Sequence, residues 1–110
     1  MAKENSVLRH VVLFAFKPDA GDGVRQVEEA FCHLPQLIPQ ILHFEWGTDV
    51  SIENIQHGFT HCFVVSFGSA ADRDAYLVHP DHQAFGRLAQ PYFEKVLVVD
   101  YWAEYALTCR

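Results

Sequence analysis

The residues best equipped for chemistry gather in Tyr76-x-x-His79-Pro80-x-His82, in a chain with seven histidines among 110 residues. Pro80 suits the first turn of a helix, where its missing N–H would have no intrahelical partner anyway. His82 then heads a stripe with Phe85, Ala89 and Tyr92 at i, i+3, i+7 and i+10, which puts it on the buried face within the first turn. The helix dipole and partial burial both disfavour an imidazolium there, leaving a neutral ring able to accept a proton. Tyr76, in the last turn of the preceding helix, offers a phenol hydroxyl close by. A neutral imidazole and a phenol in apolar surroundings suit enolisation or aldol chemistry. The same two residues also fit a pair of polar-tipped core side chains, bonded to each other or to backbone. The sequence leaves both readings open.

His10 and His61 form a second candidate pair. Each stands on the bulkier apolar face of a β-rich segment, with large aromatics following at even spacing. If those segments are antiparallel neighbours, the two imidazoles share a face but sit at opposite ends of it. A metal centre is the rival use of so many histidines, and His79-x-x-His82 and His57-x-x-x-His61 have spacings that two ligands can use. No set of three or four ligands at fixed spacing accompanies them, and no H-E-x-x-H or cysteine pair, so no metal is expected. Cys62 lies opposite His61 without a basic neighbour and reads as a packed thiol. His33, His43 and His57 receive no role, and His79 frames the His82 site. No G-x-S-x-G, Walker or G-x-G-x-x-G pattern is present, and no cofactor is expected.

Composition narrows the partners. Net charge is −6 with only eight Lys and Arg, scattered along the chain, which argues against nucleic acid. Half of the residues are hydrophobic and 20% are charged, which excludes disorder. The apolar runs are far shorter than the ~20 residues a membrane span needs. Three cysteines without C-x-x-C spacing, and an N-terminus without a signal-peptide core, fit a cytoplasmic protein. The length suits one domain over residues 1–110, with its core at about 8–104.

The elements that must position these residues follow from periodicity. Residues 8–17 read as a strand, and Val24, Val27, Phe31 and Leu34 mark an amphipathic helix with Asp22 as N-cap and Pro35 as its stop. Residues 41–49 alternate like a half-exposed edge strand, and 59–67 form a third strand. Ser69 caps a short helix to about Val78, a second helical stretch runs over 81–92, and 95–105 form the last strand. The order β-α-β-β-α-β defines a ferredoxin-like α+β fold with an antiparallel sheet in strand order 4-1-3-2. Strands 1, 3 and 4 are apolar on both faces, yet the helices can cover only one. The other face is expected to meet a second copy, giving a two-fold homodimer with a barrel-like core.

The ordered set Arg9-His10-Val-Val-Leu-Phe-Ala-Phe-Lys17, Gly47 with Asp49, Gly58-Phe-Thr-His61 and Tyr76-x-x-His79-Pro80-x-His82-x-x-Phe85 resembles the stress-responsive A/B barrel (Dabb) family over about residues 8–104. The resemblance implies a ferredoxin-like protomer that dimerises into an α/β barrel. It also implies either a stress-response protein without a defined activity or a cofactor-free polyketide cyclase that closes its substrate by intramolecular aldol chemistry. Under the cyclase reading, His82 is the general base and Tyr76 binds the reacting carbonyl, while His10 and His61 line the same pocket. Phe31 keeps part of an aromatic tail pocket, with Phe85 and Tyr92 of the helical stripe beside it. Glu28 departs from that pattern, standing where an aromatic residue is expected. Some members hold a cation on backbone carbonyls, and the matching stretch here is about Pro35 to Ile41. The expected function is a dimeric barrel with a small-molecule pocket between helices and sheet, on which His82 and Tyr76 converge. Its ligand would be small and apolar or polyketide-like, and the cyclase is the alternative.

Overall fold

A computed structural model describes residues 6–104. Four strands, β1 (Leu8–Phe16), β2 (His43–Thr48), β3 (His61–Phe67) and β4 (Phe93–Trp102), form one antiparallel sheet in the order β2-β3-β1-β4. Helix α1 (Gly23–Leu37) joins β1 to β2, while α2 (Ala70–Val78), α3 (Pro80–Ala89) and a 3₁₀ turn (Gln90–Tyr92) lead from β3 to β4. This is the expected ferredoxin-like arrangement, with the β1–β3 pair at its centre.

Several boundaries depart from periodicity, each for a local reason. Helix α1 continues through Pro35, because the turn beyond it buries Leu34 and Ile38 and is closed by the Ile38 N–H donating to the Leu34 carbonyl at 2.9 Å. Burial of those two side chains outweighs the one intrahelical bond that Pro35 cannot make. Asp22 does not cap: its backbone is already helical, and its carboxylate takes the Arg25 guanidinium at 3.0–3.1 Å instead. β3 starts at His61 rather than residue 59, since the Phe59 N–H turns back to the Gln56 carbonyl at 3.0 Å. β2 is limited to His43–Thr48, leaving Leu42 outside the strand and half-exposed. The 81–92 stretch begins one residue early, at Pro80, and tightens into the 3₁₀ turn where Pro91 lacks an N–H. β4 begins at Phe93, and Tyr105, its expected end, lies outside the described residues. Ser69 caps α2 as its sequence suggests, accepting the Asp72 N–H at 3.0 Å.

The helices cover one face of the sheet. His10, Val12 and Phe14 of β1 and His61, Phe63, Val65 and Phe67 of β3 point toward them and are buried. Val27, Phe31, Leu34 and Ile38 answer from α1, Tyr76 from α2 and Phe85 and Ala89 from α3. Phe31 stacks on Phe63 with centroids 4.3 Å apart and planes at 11°. Full burial of such a side chain is worth about 1.5–3 kcal/mol, so this aromatic layer dominates the core. The opposite face is uncovered: Leu97, Val99 and Tyr101 of β4 are 44%, 50% and 47% exposed. The helices also leave the β4 edge bare, with Val96 and Val98 half-exposed on the helix side.

Candidate active site

The α2–α3 junction builds the first part of the site. His79 caps α3, its Nδ1 accepting the Asp81 N–H at 3.1 Å, and Pro80 opens the helix. His82 is thereby carried one turn in, half-buried, with Nδ1 3.2 Å from the Leu77 carbonyl oxygen. A carbonyl only accepts, so Nδ1 bears the proton and the neutral ring keeps its lone pair on Nε2. Burial holds the His82 pKa below its ordinary value; the Leu77 bond opposes that shift, and nearby His10 and His79 add to it.

Tyr76 lies beside it, with ring centroids 4.4 Å apart. Its side chain is fully buried, and its hydroxyl has no hydrogen-bond partner among the described residues. Burial also raises the phenol's pKa, so the group is a neutral O–H donor. A buried hydroxyl without a partner costs about 1–3 kcal/mol.

His10 meets Tyr76 edge-on at 5.7 Å between ring centroids. Its Nδ1 donates to Asp100 Oδ1 at 2.7 Å, and Arg73 Nη1 donates to Asp100 Oδ2 at the same distance. The Arg73–Asp100–His10 chain therefore fixes this imidazole's orientation, a support with no local trace in the sequence because its members come from α2, β4 and β1. His82, Tyr76 and His10 thus form one cluster.

His61 does not join them. Register pairs His10 with Val65 and Phe14 with His61, so the two histidines stand four residues apart along the ladder, about 13 Å at ~3.3 Å per residue. The shared pocket implied for His10 and His61 is corrected accordingly: antiparallel pairing sends them to opposite ends of the face. His61 instead bonds Glu28 Oε2 through Nε2 at 2.6 Å and Thr60 Oγ1 through Nδ1 at 2.7 Å, beneath the Trp46 ring. Glu28, the departure noted in α1, is the partner that sequence reasoning missed.

Of the remaining pocket residues, Phe31 and Phe85 pack against each other in the core, 4.6 Å between centroids. Phe85 also lies 6.5 Å from the His82 ring. Tyr92 lies over Gly23 at the start of α1, its hydroxyl 3.5 Å from Gln26 Oε1. Four surface clefts open elsewhere: beside the 49–60 loop, between α1 and α3, after α1, and on the uncovered sheet face. None of these four is lined by His82 or Tyr76, whose ring centroids stand 4.4 Å apart. Among the described residues no three His, Cys, Asp or Glu side chains gather in a metal-binding group. In the Pro35–Ile41 stretch the Ile38 carbonyl accepts the Ile41 N–H, and the Leu34 carbonyl just before the stretch accepts the Ile38 N–H.

A four-stranded antiparallel sheet with helices on one face defines a ferredoxin-like α+β protein, with an imidazole–phenol pair at its α2–α3 junction. The chain belongs to the stress-responsive A/B barrel domain family, whose model matches residues 8–103. It is 34% identical over 102 residues to the stress-response A/B barrel domain-containing protein HS1 of Arabidopsis thaliana, covering 92% of this chain and 94% of that one. It is 33% identical over 97 residues to olivetolic acid cyclase of Cannabis sativa, covering 86% and 94%. Among solved structures, hydroxynitrile lyase from Passiflora edulis superimposes with a TM-score of 0.84 at 26% identity, covering 91% of this chain and 95% of that one. A dimeric ferredoxin-like protein of unknown function from Jannaschia matches with a TM-score of 0.75 at 26% identity, covering 86% and 97%. The structural neighbours thus include dimers, and the relatives include a cyclase and a lyase. No helix among the described residues is long and apolar enough to cross a membrane.

Proposed function

We propose that this protein is a cytoplasmic homodimeric barrel that binds a small carbonyl compound beside His82 and Tyr76 and moves protons on it without a cofactor. The observation that carries this reading is the buried, unpartnered Tyr76 hydroxyl next to an imidazole whose Nδ1 proton is committed to the Leu77 carbonyl. His82 Nε2 takes a proton from a carbon acid or a hydroxyl. Tyr76 O–H donates to the carbonyl oxygen, where negative charge develops as the enolate or alkoxide forms. This pairing serves carbon–carbon bond formation or cleavage next to a carbonyl, and a cyclase and a lyase among the relatives are in keeping with it. A positioned general base contributes typically ~10²–10⁴-fold in rate.

Dimerisation is supported by the uncovered apolar face around Leu97, Val99 and Tyr101 and by dimeric neighbours. A cytoplasmic location is supported by the unpaired Cys32 and Cys62, both with pKa values raised by burial and a nearby glutamate. The test is a screen of poly-β-ketones and α-hydroxynitriles with wild type, His82→Ala and Tyr76→Phe. Loss of about a hundredfold or more in His82→Ala is expected. A rate unchanged in both variants would remove these residues from the chemistry.

A further inference from the structure

The uncovered face of the sheet is apolar through its middle and charged at few places. Strand register puts Val11, Leu13, Val64, Leu97 and Val99 there. The charged strand residues on the same face are Arg9 on β1, Glu45 on β2 and Lys95 on β4. Lys95 is committed: its Nζ donates to the His57 carbonyl and lies 4.5 Å from the centroid of the Phe59 ring. Arg9 uses one N–H on Ser66, Nη1 donating to Oγ at 2.7 Å, and the rest of its guanidinium fork makes no further bond among the described residues. Glu45, exposed, makes no hydrogen bond and no ion pair among the described residues. Burial, and then the Glu45 charge, raise the Cys62 thiol on this same face. Arg9 and Glu45 line one cleft of about 220 Å³ without pairing with each other.

This arrangement is awkward for a lone protomer and apt for two. A second copy laid on the apolar middle withdraws Glu45 from water, and a carboxylate so placed is costly unless a cation meets it. With Lys95 committed, Arg9 is the strand cation on this face with donors to spare. An ion pair in such a place adds specificity of alignment more than raw affinity.

We propose that Arg9 of each protomer pairs with Glu45 of its partner across a two-fold axis, so that two equivalent ion pairs set the register of the dimer. The pairing rests on the homodimer proposed above and adds which groups align it. Within one sheet, Arg9 and Glu45 stand two strands and two residues apart, about 12 Å at ~4.8 Å per strand and ~3.3 Å per residue. A two-fold axis lying between stacked sheets, at right angles to the line joining them, brings each over the other's counterpart. Continued across the sheet, that axis passes over Leu13 and Leu97, in the apolar middle of the face. Stacked sheets lie ~10 Å apart, a gap that an arginine and a glutamate side chain span together. One symmetry operation therefore covers the apolar patch and satisfies both charges.

Sedimentation of the full-length protein over a dilution series reads the dimer dissociation constant. Wild type should be dimeric. Arg9→Glu and Glu45→Arg each set like charges face to face twice per dimer, and each should weaken self-association at least about a hundredfold. Mixed in equal amounts, the two variants should recover it, because each supplies the charge the other lacks; native mass spectrometry identifies the one-to-one heterodimer. A chain carrying both Arg9→Glu and Glu45→Arg should again dimerise with itself. Glu45→Gln, at an exposed position, carries the test should Arg9→Glu fail to fold, with a dimer about tenfold weaker expected. A wild type that stays monomeric would remove the dimer and the pairing together. A dimeric wild type whose constant is unchanged in Glu45→Arg, or folded variants that form no heterodimer, would overturn the pairing alone and leave Glu45 as a solvated edge-strand charge.

Discussion

Replacing Tyr76 by Phe removes the one atom that makes this residue a poor core side chain. The ring is fully buried against Phe67, His82 and His10, and its hydroxyl has no partner. An unsatisfied buried hydroxyl costs about 1–3 kcal/mol, which the substitution recovers. Against this stands the void left by the oxygen, roughly 10–15 Å³, worth about 0.2–0.4 kcal/mol at ~24 cal/mol per Å³. The net expectation is stabilisation by about 0.6–2.8 kcal/mol. At about 4–8 °C per kcal/mol for a domain of this size, calorimetry should read an increase in Tm well outside error. Urea unfolding at the same protein concentration gives an independent value, the fixed concentration holding constant any contribution of the proposed dimer. The variant should gain stability and lose activity together, as expected when a group is held free for a substrate. A Tyr76→Phe protein less stable than wild type would mean instead that the hydroxyl is already bonded in the folded protein.

Three further outcomes follow from other contacts. Asp100→Ala leaves the buried His10 Nδ1–H and Arg73 Nη1 without their acceptor, while Arg73 Nε keeps Asp74, and should destabilise the protein by about 1–3 kcal/mol in urea titration. Gly23→Ala would put a methyl carbon 2.2 Å from Tyr92 Cδ1, so Tyr92 must move; a loss of about 1–3 kcal/mol and altered Tyr92 resonances are expected. Stability should also bend at both ends of the pH range. His82, depressed by burial, binds a proton less readily folded than unfolded, so its contribution is complete above its ordinary pKa of 6.5 and declines as pH falls through the lower folded value. Tyr76, raised by burial, loses its proton more readily when unfolded, so stability should fall as pH climbs past the ordinary value of 10.0. Denaturant midpoints measured across acidic and alkaline buffers check both slopes, and His82→Ala and Tyr76→Phe should each flatten one of them.

Much of the frame was legible because periodicity reports burial. Alternation in β1 and β3 named the helix-facing side chains, including His10 and His61, and the stripe from His82 identified Phe85 and Ala89 as buried. Element order then implied the strand order observed. The site was legible only where it is local. His82 and Tyr76 are six residues apart, and one helix break brings their rings together. Contacts between distant elements left no periodic signal: Glu28 reaches His61 across 33 positions and Asp100 reaches His10 across 90. Glu28 stood out only as a charge where an aromatic was expected, and its role follows from packing α1 over the end of β3. Pro35 misled for the opposite reason, because tertiary burial of Ile38 overrode a local helix-stop rule.

The proposed chemistry depends on where the His82 proton resides. Nitrogen-detected NMR of imidazole-labelled protein near neutral pH reads that directly from the two ring nitrogens. The expected result is a neutral ring with a protonated Nδ1 and a lone-pair Nε2, titrating below the ordinary histidine value of 6.5. An Nε2–H tautomer, or a ring that remains charged above that value, would contradict it.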